Sequence, residues 1–295
     1  MSELVQHLTR ALDTGMIAVR RDGQSHVIRL VALDLDGTLL TGEKRLNPAT
    51  VRAVHECVKQ GVKVVLASAR PPRAVRKVWE ILGLNTLSIH YNGALIHDLA
   101  EGQPVFHQPL EVALVRQVVA AARRTVADCF VHVEVLDQWY TDRYDPKFVP
   151  ESGRASEPDV VGPVDSFLTA PVTKLMFLTT PQKLVKIRAV LDRRFAGRFV
   201  MAVSDDHLLQ VMHLRADKAF ALARVAERYG VGPEQIMAVG DAPNDCGMLR
   251  WAGLGVAMSN AWDEALDAAD VVVSCNETDG VAQALRQYVL APSAA

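Results

Sequence analysis

Asp34-Leu35-Asp36-Gly37-Thr38-Leu39-Leu40 follows directly on the apolar run 27–33, Val-Ile-Arg-Leu-Val-Ala-Leu. A run so rich in Val, Ile and Leu predicts a strand in the middle of a parallel sheet, covered on both faces. Carboxylates beside such a core are costly unless something compensates their charge. The pattern therefore indicates a bound cation near Asp34 and Asp36, although it is also compatible with an ordinary exit from a strand into a turn, for which Gly37 is suited.

Two other apolar runs end in polar residues of the same kind. The run 236–239 is followed by Gly240-Asp241-Ala242-Pro243-Asn244-Asp245, and the run 62–67 is followed by Ser68-Ala69-Arg70. In an open parallel sheet, ligands bind outside the carboxyl ends of the strands, near the point where the strand order reverses. We therefore expect the three strands to bring five side chains to one edge: Asp34, Asp36, Ser68, Asp241 and Asp245.

These residue types favour phosphoryl transfer. Asp34, the carboxylate nearest to the strand, is placed to attack phosphorus and form an aspartyl-phosphate. Asp36 is then free to donate a proton to the leaving oxygen and later to take one from water. Because the transferred group is highly charged, the site needs positive charge more than further bases, and we expect Lys218 and a Mg²⁺ ion to provide it.

The expected Mg²⁺ site is built from oxygen atoms. Mg²⁺ prefers octahedral oxygen ligands and usually keeps several waters, so a few carboxylates suffice. The predicted ligands are Asp34, the backbone carbonyl of Asp36, Asp241 and Asp245, the last either directly or as a partner of another ligand. Ser68 and the amides after Asp34 are expected to hold phosphate oxygens. Structural alternatives remain, since Ser68 could only start a turn, Lys218 could be a solvated lysine and Asp241 could cap a helix.

Four separated motifs, in this order, resemble the haloacid dehalogenase superfamily and, within it, the Cof-type phosphatases. They are the stretch 34–40, Ser68 with Arg70, Lys218, and the stretch 240–249, Gly-Asp-Ala-Pro-Asn-Asp-Cys-Gly-Met-Leu. The triplet 92–94, Asn-Gly-Ala, and the tail 279–282, Asp-Gly-Val-Ala, look like the same subgroup. The resemblance covers roughly residues 28–290.

The resemblance implies the same roles for the residues already named and an α/β lid inserted between the second and third motifs. It also implies contacts to phosphate or substrate for Arg70, Asn92, Gly93 and Asn244. Arg70 could instead form a structural salt bridge, and Asn92 and Asn244 could be turn residues. In the lid, the cluster Trp139, Tyr140, Arg143 and Tyr144 could recognise a substrate or pack as a lid core.

The predicted fold is α/β, with a doubly wound parallel-sheet (Rossmann-like) core and an inserted α/β cap domain. Residues 27–90 and 214–295 are expected to form the core and 91–213 the cap, with a long loop over 145–171. Residues 1–26 are expected to be a surface helix or a partly disordered arm. The predicted helices are 48–60, 73–82, 111–124, 182–195 and 218–229.

Composition narrows the function classes. At 295 residues the chain suggests about two domains. A formal net charge of -2 without a basic tract argues against nucleic acid and anionic membranes as partners. The four cysteines show no Cys-x-x-Cys spacing, which favours a reducing cytoplasm. The longest apolar run within residues 1–26 is too short for a signal-peptide core or a membrane span.

We therefore expect a cytoplasmic, Mg²⁺-dependent phosphatase, monomeric or homodimeric, whose lid closes over a small phosphorylated metabolite. Sugar phosphates, nucleotides and cofactor phosphates all fit. Two alternatives stay open: a phosphomutase-like phosphotransferase, in which a sugar hydroxyl replaces water, and a non-catalytic binding protein on the same fold.

Overall fold

The computed structural model describes residues 27–149 and 157–290. Its strands are, in chain order, β1 (Leu30–Leu33), β2 (Lys63–Leu66), β3 (Ser88–His90), β4 (Leu95–Asp98), β5 (Gln103–His107), β6 (Phe130–Val135), β7 (Gln138–Thr141), β8 (Val160–Val161), β9 (Lys174–Leu178), β10 (Val200–Asp205), β11 (Leu208–Met212), β12 (Ile236–Gly240), β13 (Leu254–Met258) and β14 (Val271–Val273). Its α-helices are Pro48–Lys59, Pro72–Ile81, Val112–Thr125, Val164–Phe167, Pro181–Phe195, Lys218–Tyr229, Cys246–Trp251, Asp263–Leu266 and Gly280–Leu285. The predicted N-terminal arm, residues 1–26, lies outside the described residues.

The five predicted helices begin and end within one residue of the observed ones. Their ends carry clear signals in the sequence. Pro48, Pro72 and Pro181 stand at the first helical position, where the missing N–H has no partner to lose. Gly230 ends the helix after Tyr229 in the left-handed conformation, with φ 63°. Among the described helices, none combines the length and apolar character that crossing a bilayer requires.

Five parallel strands form the core sheet, in the order β14-β13-β12-β1-β2. The chain passes from β1 to β2 and later returns to the other side of β1 with β12, so the strand order reverses between β1 and β12. Leu33, at the end of β1, is aligned with Val239 in β12 and Leu66 in β2. The residues that follow these three strands therefore emerge at the same edge, as the motif positions predict.

Helices cover both faces of the core sheet. Ala32 packs in a cluster with residues of the helix Lys218–Tyr229, whereas Leu33 packs in a second cluster with residues of the helix Pro48–Lys59. This alternation follows from the period of two in a strand. Burying a leucine side chain such as Leu33 contributes about 1.5–3 kcal/mol to stability. The predicted doubly wound α/β core is confirmed.

A second sheet of six strands, in the order β10-β11-β9-β6-β7-β8, forms the inserted domain. Its strands pair antiparallel except for β7 with β8. One face packs against the helices Val112–Thr125 and Pro181–Phe195. On the other face, Glu134, Lys174 and Met212 contact Arg73, Tyr91 and Asn92, respectively. The α/β character predicted for the cap is therefore observed.

Two details of the region 91–213 differ from the prediction. The prediction of one long loop over 145–171 is wrong, because β8 and the helix Val164–Phe167 lie within it; both are too short to give a periodic sequence pattern. The hairpin β4–β5 pairs with β3, and its Ile96 and Phe106 pack against the core. Core packing thus extends beyond residue 90, while the other limits of the cap stay a prediction.

Candidate active site

Asp34 and Lys218 form the centre of the candidate site. Asp34 follows β1 and is only 5% exposed. Lys218 is the first residue of its helix, and the helix is capped by Asp217, whose Oδ1 accepts the N–H of Phe220 at 2.9 Å. The Lys218 Nζ donates to Asp34 Oδ1 and to Asp245 Oδ1, both at 2.6 Å. The helix start therefore fixes a buried ammonium between two carboxylates.

The loop after β12 provides Asp241 and Asp245. Asp241 Oδ1 accepts the hydroxyl of Thr38 at 2.6 Å. Asp245 Oδ2 accepts the backbone N–H groups of Asp241 and Ala242, both at 3.0 Å. Both oxygens of Asp245 are thus engaged within the protein, one by Lys218 and one by its own loop. Asp245 therefore shapes the loop that presents Asp241.

Gly37 allows the two loops to approach each other. It adopts φ 83°, and a methyl group built on it would lie 2.2 Å from Asp241 Oδ2. Any side chain here would meet both the left-handed backbone and the carboxylate of Asp241. The glycine of the first motif is therefore required by contact with the fourth motif.

The pKa values of the buried acids are raised mainly by burial and further by neighbouring carboxylates. Burial raises the pKa of Asp34 well above its usual value, and the charge of Asp245 acts in the same direction. Burial also raises the pKa of Asp241 to about 6, against the hydrogen bond from Thr38. Burial alone would lower the pKa of Lys218, but Asp245 and Asp34 outweigh it, so that the pKa is raised and the lysine stays charged.

The buried centre of the site holds three carboxylates but only one ammonium group, so its negative charge is not fully compensated. One oxygen from each of Asp34, Asp241 and Asp245 lies within 4.8 Å of the others. Buried charges need compensation, and carboxylate oxygens are the ligands that hard divalent cations prefer. The donor set fits such a cation. The predicted ligand roles of Asp34, Asp241, Asp245 and the backbone carbonyl of Asp36 all stay predictions.

Asp36 lies in a different environment, at the edge of the site. Its side chain is 38% exposed, and its Oδ1 accepts Lys44 Nζ at 2.7 Å. Arg70 binds both oxygens, with Nε to Oδ2 at 2.7 Å and Nη2 to Oδ1 at 2.5 Å. Burial pushes the pKa of Asp36 upward, but the hydrogen bonds and charges of Arg70 and Lys44 outweigh it and lower the pKa. Asp36 is therefore held as a carboxylate.

Hydrogen bonds connect three predicted site residues that lie beside Arg70. Ser68 is buried, and its hydroxyl accepts the backbone N–H of Arg70 at 3.1 Å. The Ser68 carbonyl accepts the N–H of Asn92 at 3.1 Å. Asn244 Nδ2 donates to Asn92 Oδ1 at 3.0 Å. The structure thus brings Ser68, Asn92 and Asn244 together, and their contacts to a substrate stay a prediction.

Gly93 has a packing role in the structure. It adopts φ 94°, and a methyl group built on it would lie 2.1 Å from the carbonyl oxygen of Asp217. The absence of a side chain therefore lets this turn touch the backbone just before Lys218. This contact explains the glycine without a substrate, and the predicted substrate contact is untested.

The core and the cap are joined beside the site by a buried ion pair. Arg73 Nη2 and Nη1 donate to Glu134 Oε1 and Oε2 at 2.7 and 2.9 Å. The single proton of the Tyr91 hydroxyl has two acceptors, the carbonyl of Leu136 at 2.7 Å and Glu134 Oε2 at 3.1 Å. Lys174 Nζ lies 5.0 Å from the centre of the Tyr91 ring, and burial lowers its pKa to about 8.

Two residues of the lid cluster, Trp139 and Tyr140, are packed within the lid, whereas Arg143 and Tyr144 are exposed. Trp139 is fully buried, and its Nε1–H donates to His132 Nδ1 at 2.9 Å. Tyr144 meets the Trp139 ring edge-on, with ring centres 6.3 Å apart. Tyr140 instead packs against Phe167, at 5.6 Å. The structure supports the lid-core interpretation for Trp139 and Tyr140.

Sequence reasoning missed two residues of the site. Lys44 lies in the turn after the first motif, and Asn260 Nδ2 donates to the carbonyl of Gly37 at 2.8 Å. Asn260 could have been found from its position two residues after β13, because that strand ends at the same edge. Lys44 gives no signal of this kind, since a lysine in a polar turn is usually a solvated residue.

The fold and the site together define a class of α/β hydrolytic enzyme, with carboxylates and a buried lysine at the switch point of a doubly wound sheet. The family model for haloacid dehalogenase-like hydrolases matches residues 31–285. The chain therefore belongs to the haloacid dehalogenase-like hydrolase family, which confirms the resemblance drawn from the four motifs.

Known relatives agree with this family. The chain is 30% identical over 275 residues to the 5-amino-6-(5-phospho-D-ribitylamino)uracil phosphatase YitU of Bacillus subtilis (strain 168), covering 88% of this chain and 97% of the relative. It is 29% identical to the HMP-PP phosphatase of Yersinia pseudotuberculosis serotype O:1b (strain IP 31758), covering 90% and 96%. A crystal structure of a haloacid dehalogenase-like hydrolase from Bacteroides thetaiotaomicron superposes with a TM-score of 0.81, at 26% identity, covering 88% and 99%.

Proposed function

We propose that the protein is a Mg²⁺-dependent phosphatase that hydrolyses a small phosphorylated metabolite through an aspartyl-phosphate on Asp34. The observation that carries this proposal is the buried contact of Asp34 with Lys218 beside Asp241 and Asp245. A nucleophilic carboxylate, a fixed cation and a metal-type donor set at one point are what phosphoryl transfer requires.

Asp34 and Asp241 would hold the metal ion, with Asp245 either as a third ligand or as the residue that holds the loop of Asp241. A bound Mg²⁺ would neutralise negative charge on the phosphoryl group and on the carboxylates around it. The fit rests on the donor set itself. Burial, with the charges of neighbouring carboxylates, raises the pKa of Asp34 and of Asp241, and a cation would favour their charged form.

Asp34 is the proposed nucleophile. One of its oxygens, Oδ1, is engaged by Lys218, which leaves Oδ2 to attack phosphorus. As the new bond from oxygen to phosphorus forms, the ester bond from phosphorus to the leaving oxygen breaks. Lys218 stays charged throughout, so that it can stabilise the phosphoryl oxygens as well as orient the carboxylate.

Asp36 is the proposed acid and base. It gives a proton to the leaving oxygen in the first step and takes one from the water that hydrolyses the aspartyl-phosphate in the second. Arg70 and Lys44 favour its carboxylate form, which suits the second step. Proton donation in the first step depends on the negative charge of a bound phosphoryl group, which raises the pKa of a neighbouring carboxyl.

The cap is the proposed substrate-selecting part. It contacts the core beside Asn92, where Met212 Sδ lies 4.0 Å from Asn92 Nδ2, so a substrate bound at Asp34 would meet the cap sheet. The relatives named above act on a phosphoribityl pyrimidine and on HMP-PP. We therefore propose a phosphorylated cofactor precursor, nucleotide or sugar phosphate as substrate, in a cytoplasmic enzyme that works as a monomer or homodimer.

The test is phosphate release from a panel of phosphorylated metabolites and p-nitrophenyl phosphate, with Mg²⁺ and with EDTA. We expect metal-dependent release by the wild type and none by Asp34→Asn, whose fold is kept. Asp165→Asn, which changes an exposed carboxylate paired with Arg116, is the matched control and should keep full activity. Unchanged activity of Asp34→Asn would contradict the mechanism. Transfer of phosphate between sugar positions without net release would favour a phosphomutase instead.

A further inference from the structure

The turn between Leu40 and Leu46 places a lysine against the proposed acid and base. Lys44 Nζ donates to Asp36 Oδ1 at 2.7 Å, while Arg70 donates to both oxygens at 2.5 and 2.7 Å. Three hydrogen bonds from two cations therefore fix the plane of a carboxylate that is otherwise exposed at the edge of the site.

The backbone of the turn that carries Lys44 is fixed by hydrogen bonds to residues far away in the chain. Lys44 adopts φ 59°, a left-handed conformation that is uncommon for a lysine. Glu277 Oε1 accepts the backbone N–H of Gly42 at 2.7 Å, and Asn276 Nδ2 donates to the carbonyl of Leu40 at 2.8 Å. A strained residue that persists because its surroundings hold it is a feature of functional sites.

The neighbouring residue in the same turn gives the contrast. Arg45 is also a cation, but its side chain is 78% exposed and pairs only on the surface, with Glu43. Within the described residues, its side chain has no contact with Asp36. Of two adjacent cations in one turn, the strained one is directed at Asp36 and the other at solvent.

We propose that Lys44 is a positioning residue, which together with Arg70 orients the Asp36 carboxyl towards the oxygen of the leaving group. This inference rests on the proposed function, because the orientation of Asp36 matters only if Asp36 serves that oxygen. In the step concerned, the bond from Asp34 to phosphorus forms, the ester bond breaks and the proton of Asp36 passes to the leaving oxygen. Lys44 gains and loses nothing in this step.

The test compares Lys44→Met with its matched control Arg45→Met, which removes the same charge from the same turn. The value of kcat/KM, which reports the steps up to departure of the leaving group, is measured on an alkyl phosphate and on p-nitrophenyl phosphate. We expect Lys44→Met to lower kcat/KM at least ~10-fold on the alkyl ester, as part of the ~10²–10⁴-fold that acid catalysis contributes. On p-nitrophenyl phosphate, a good leaving group, we expect a change below ~3-fold. Lys44→Arg should restore most of the loss, and Arg45→Met should change neither value.

Several outcomes would overturn the inference. An equal loss on both esters would mean that Lys44 binds the phosphoryl group that they share. No loss on either ester would mean that the contact is only structural. If the wild type releases no phosphate from any ester, the proposed function fails, and crystal structures of wild type and Lys44→Met decide about Lys44: we expect Asp36 to take another rotamer in the variant, and an unmoved carboxylate would refute the positioning role.

Discussion

Asp34 and Asp36 are two residues apart in the chain, yet their surroundings are opposite. Asp34 is buried among Asp241, Asp245 and Lys218, and its pKa is raised. Asp36 is 38% exposed between Arg70 and Lys44, and its pKa is lowered. Residues two apart on a strand share a face, but β1 ends at Leu33 and the chain turns at Gly37, so the two carboxylates meet different partners. Two identical side chains can therefore take two roles, because their environments and not their chemistry differ.

The largest expected effect distinguishes the two carboxylates by their roles, Asp34 as the nucleophile and Asp36 as the acid. Asp36→Asn should lower kcat/KM on alkyl phosphates by ~10²–10⁴-fold but still release p-nitrophenolate in a burst, because Asp34 remains to form the aspartyl-phosphate. Asp34→Asn should show no burst. Rapid-mixing absorbance measurements check both variants. A burst with Asp34→Asn would mean that the nucleophile lies elsewhere.

The next largest effect concerns Lys218, the buried cation that pairs with Asp34 and not with Asp36. Lys218→Met should lower the free energy of unfolding by about 3–5 kcal/mol, because it leaves Asp34 and Asp245 buried without their partner. Urea denaturation measures this change. Lys183→Met, which breaks an exposed pair with Asp128, is the control and should have a much smaller effect. A similar loss in both variants would show that burial does not matter here.

A smaller effect tests the contact that sets the position of Asp241. Gly37→Ala and Gly61→Ala both place alanine at a left-handed residue, with φ 83° and 81°, but only the first meets a side chain. Both should lose about 1–2 kcal/mol of stability from the backbone alone. Gly37→Ala should in addition weaken Mg²⁺ binding, measured by calorimetry, because it displaces Asp241. Equal Mg²⁺ affinity in the two variants would argue against Asp241 as a ligand.

A last effect limits the pH range in which the two carboxylates can be compared. Burial lowers the pKa of His90, in the core, and of His132, in the cap, to about 3 each. The unfolded chain binds these protons near pH 6.5, so stability is full above that pH and falls as the pH drops towards 3. At pH 5 each histidine should cost about 2 kcal/mol. Denaturation at pH 7 and pH 5 checks this, and His132→Gln should show a weaker pH dependence than the wild type.

Much of the core could be predicted from the sequence, because strand ends and motif positions carry a strong signal. Asp34 and Asp241 meet as expected, since the carboxyl ends of parallel strands share one edge. Lys218 reaches the same place from the start of its helix. The contacts of Lys44 could not be predicted, because they depend on a left-handed turn that no periodic pattern encodes. The pair Arg73 and Glu134 joins residues far apart in the chain, and one sequence alone does not pair them.

The turn Tyr91–Gly93 has a consequence for how such an enzyme can change. Tyr91 is bonded to the cap through Glu134, Asn92 is bonded to Asn244, and Gly93 lies against Asp217. All three residues have positive φ. A random library would therefore find few acceptable replacements at these positions, while the cap surfaces away from the turn stay free to vary. New substrate preferences are accessible to laboratory evolution chiefly through the cap, with this turn kept as it is.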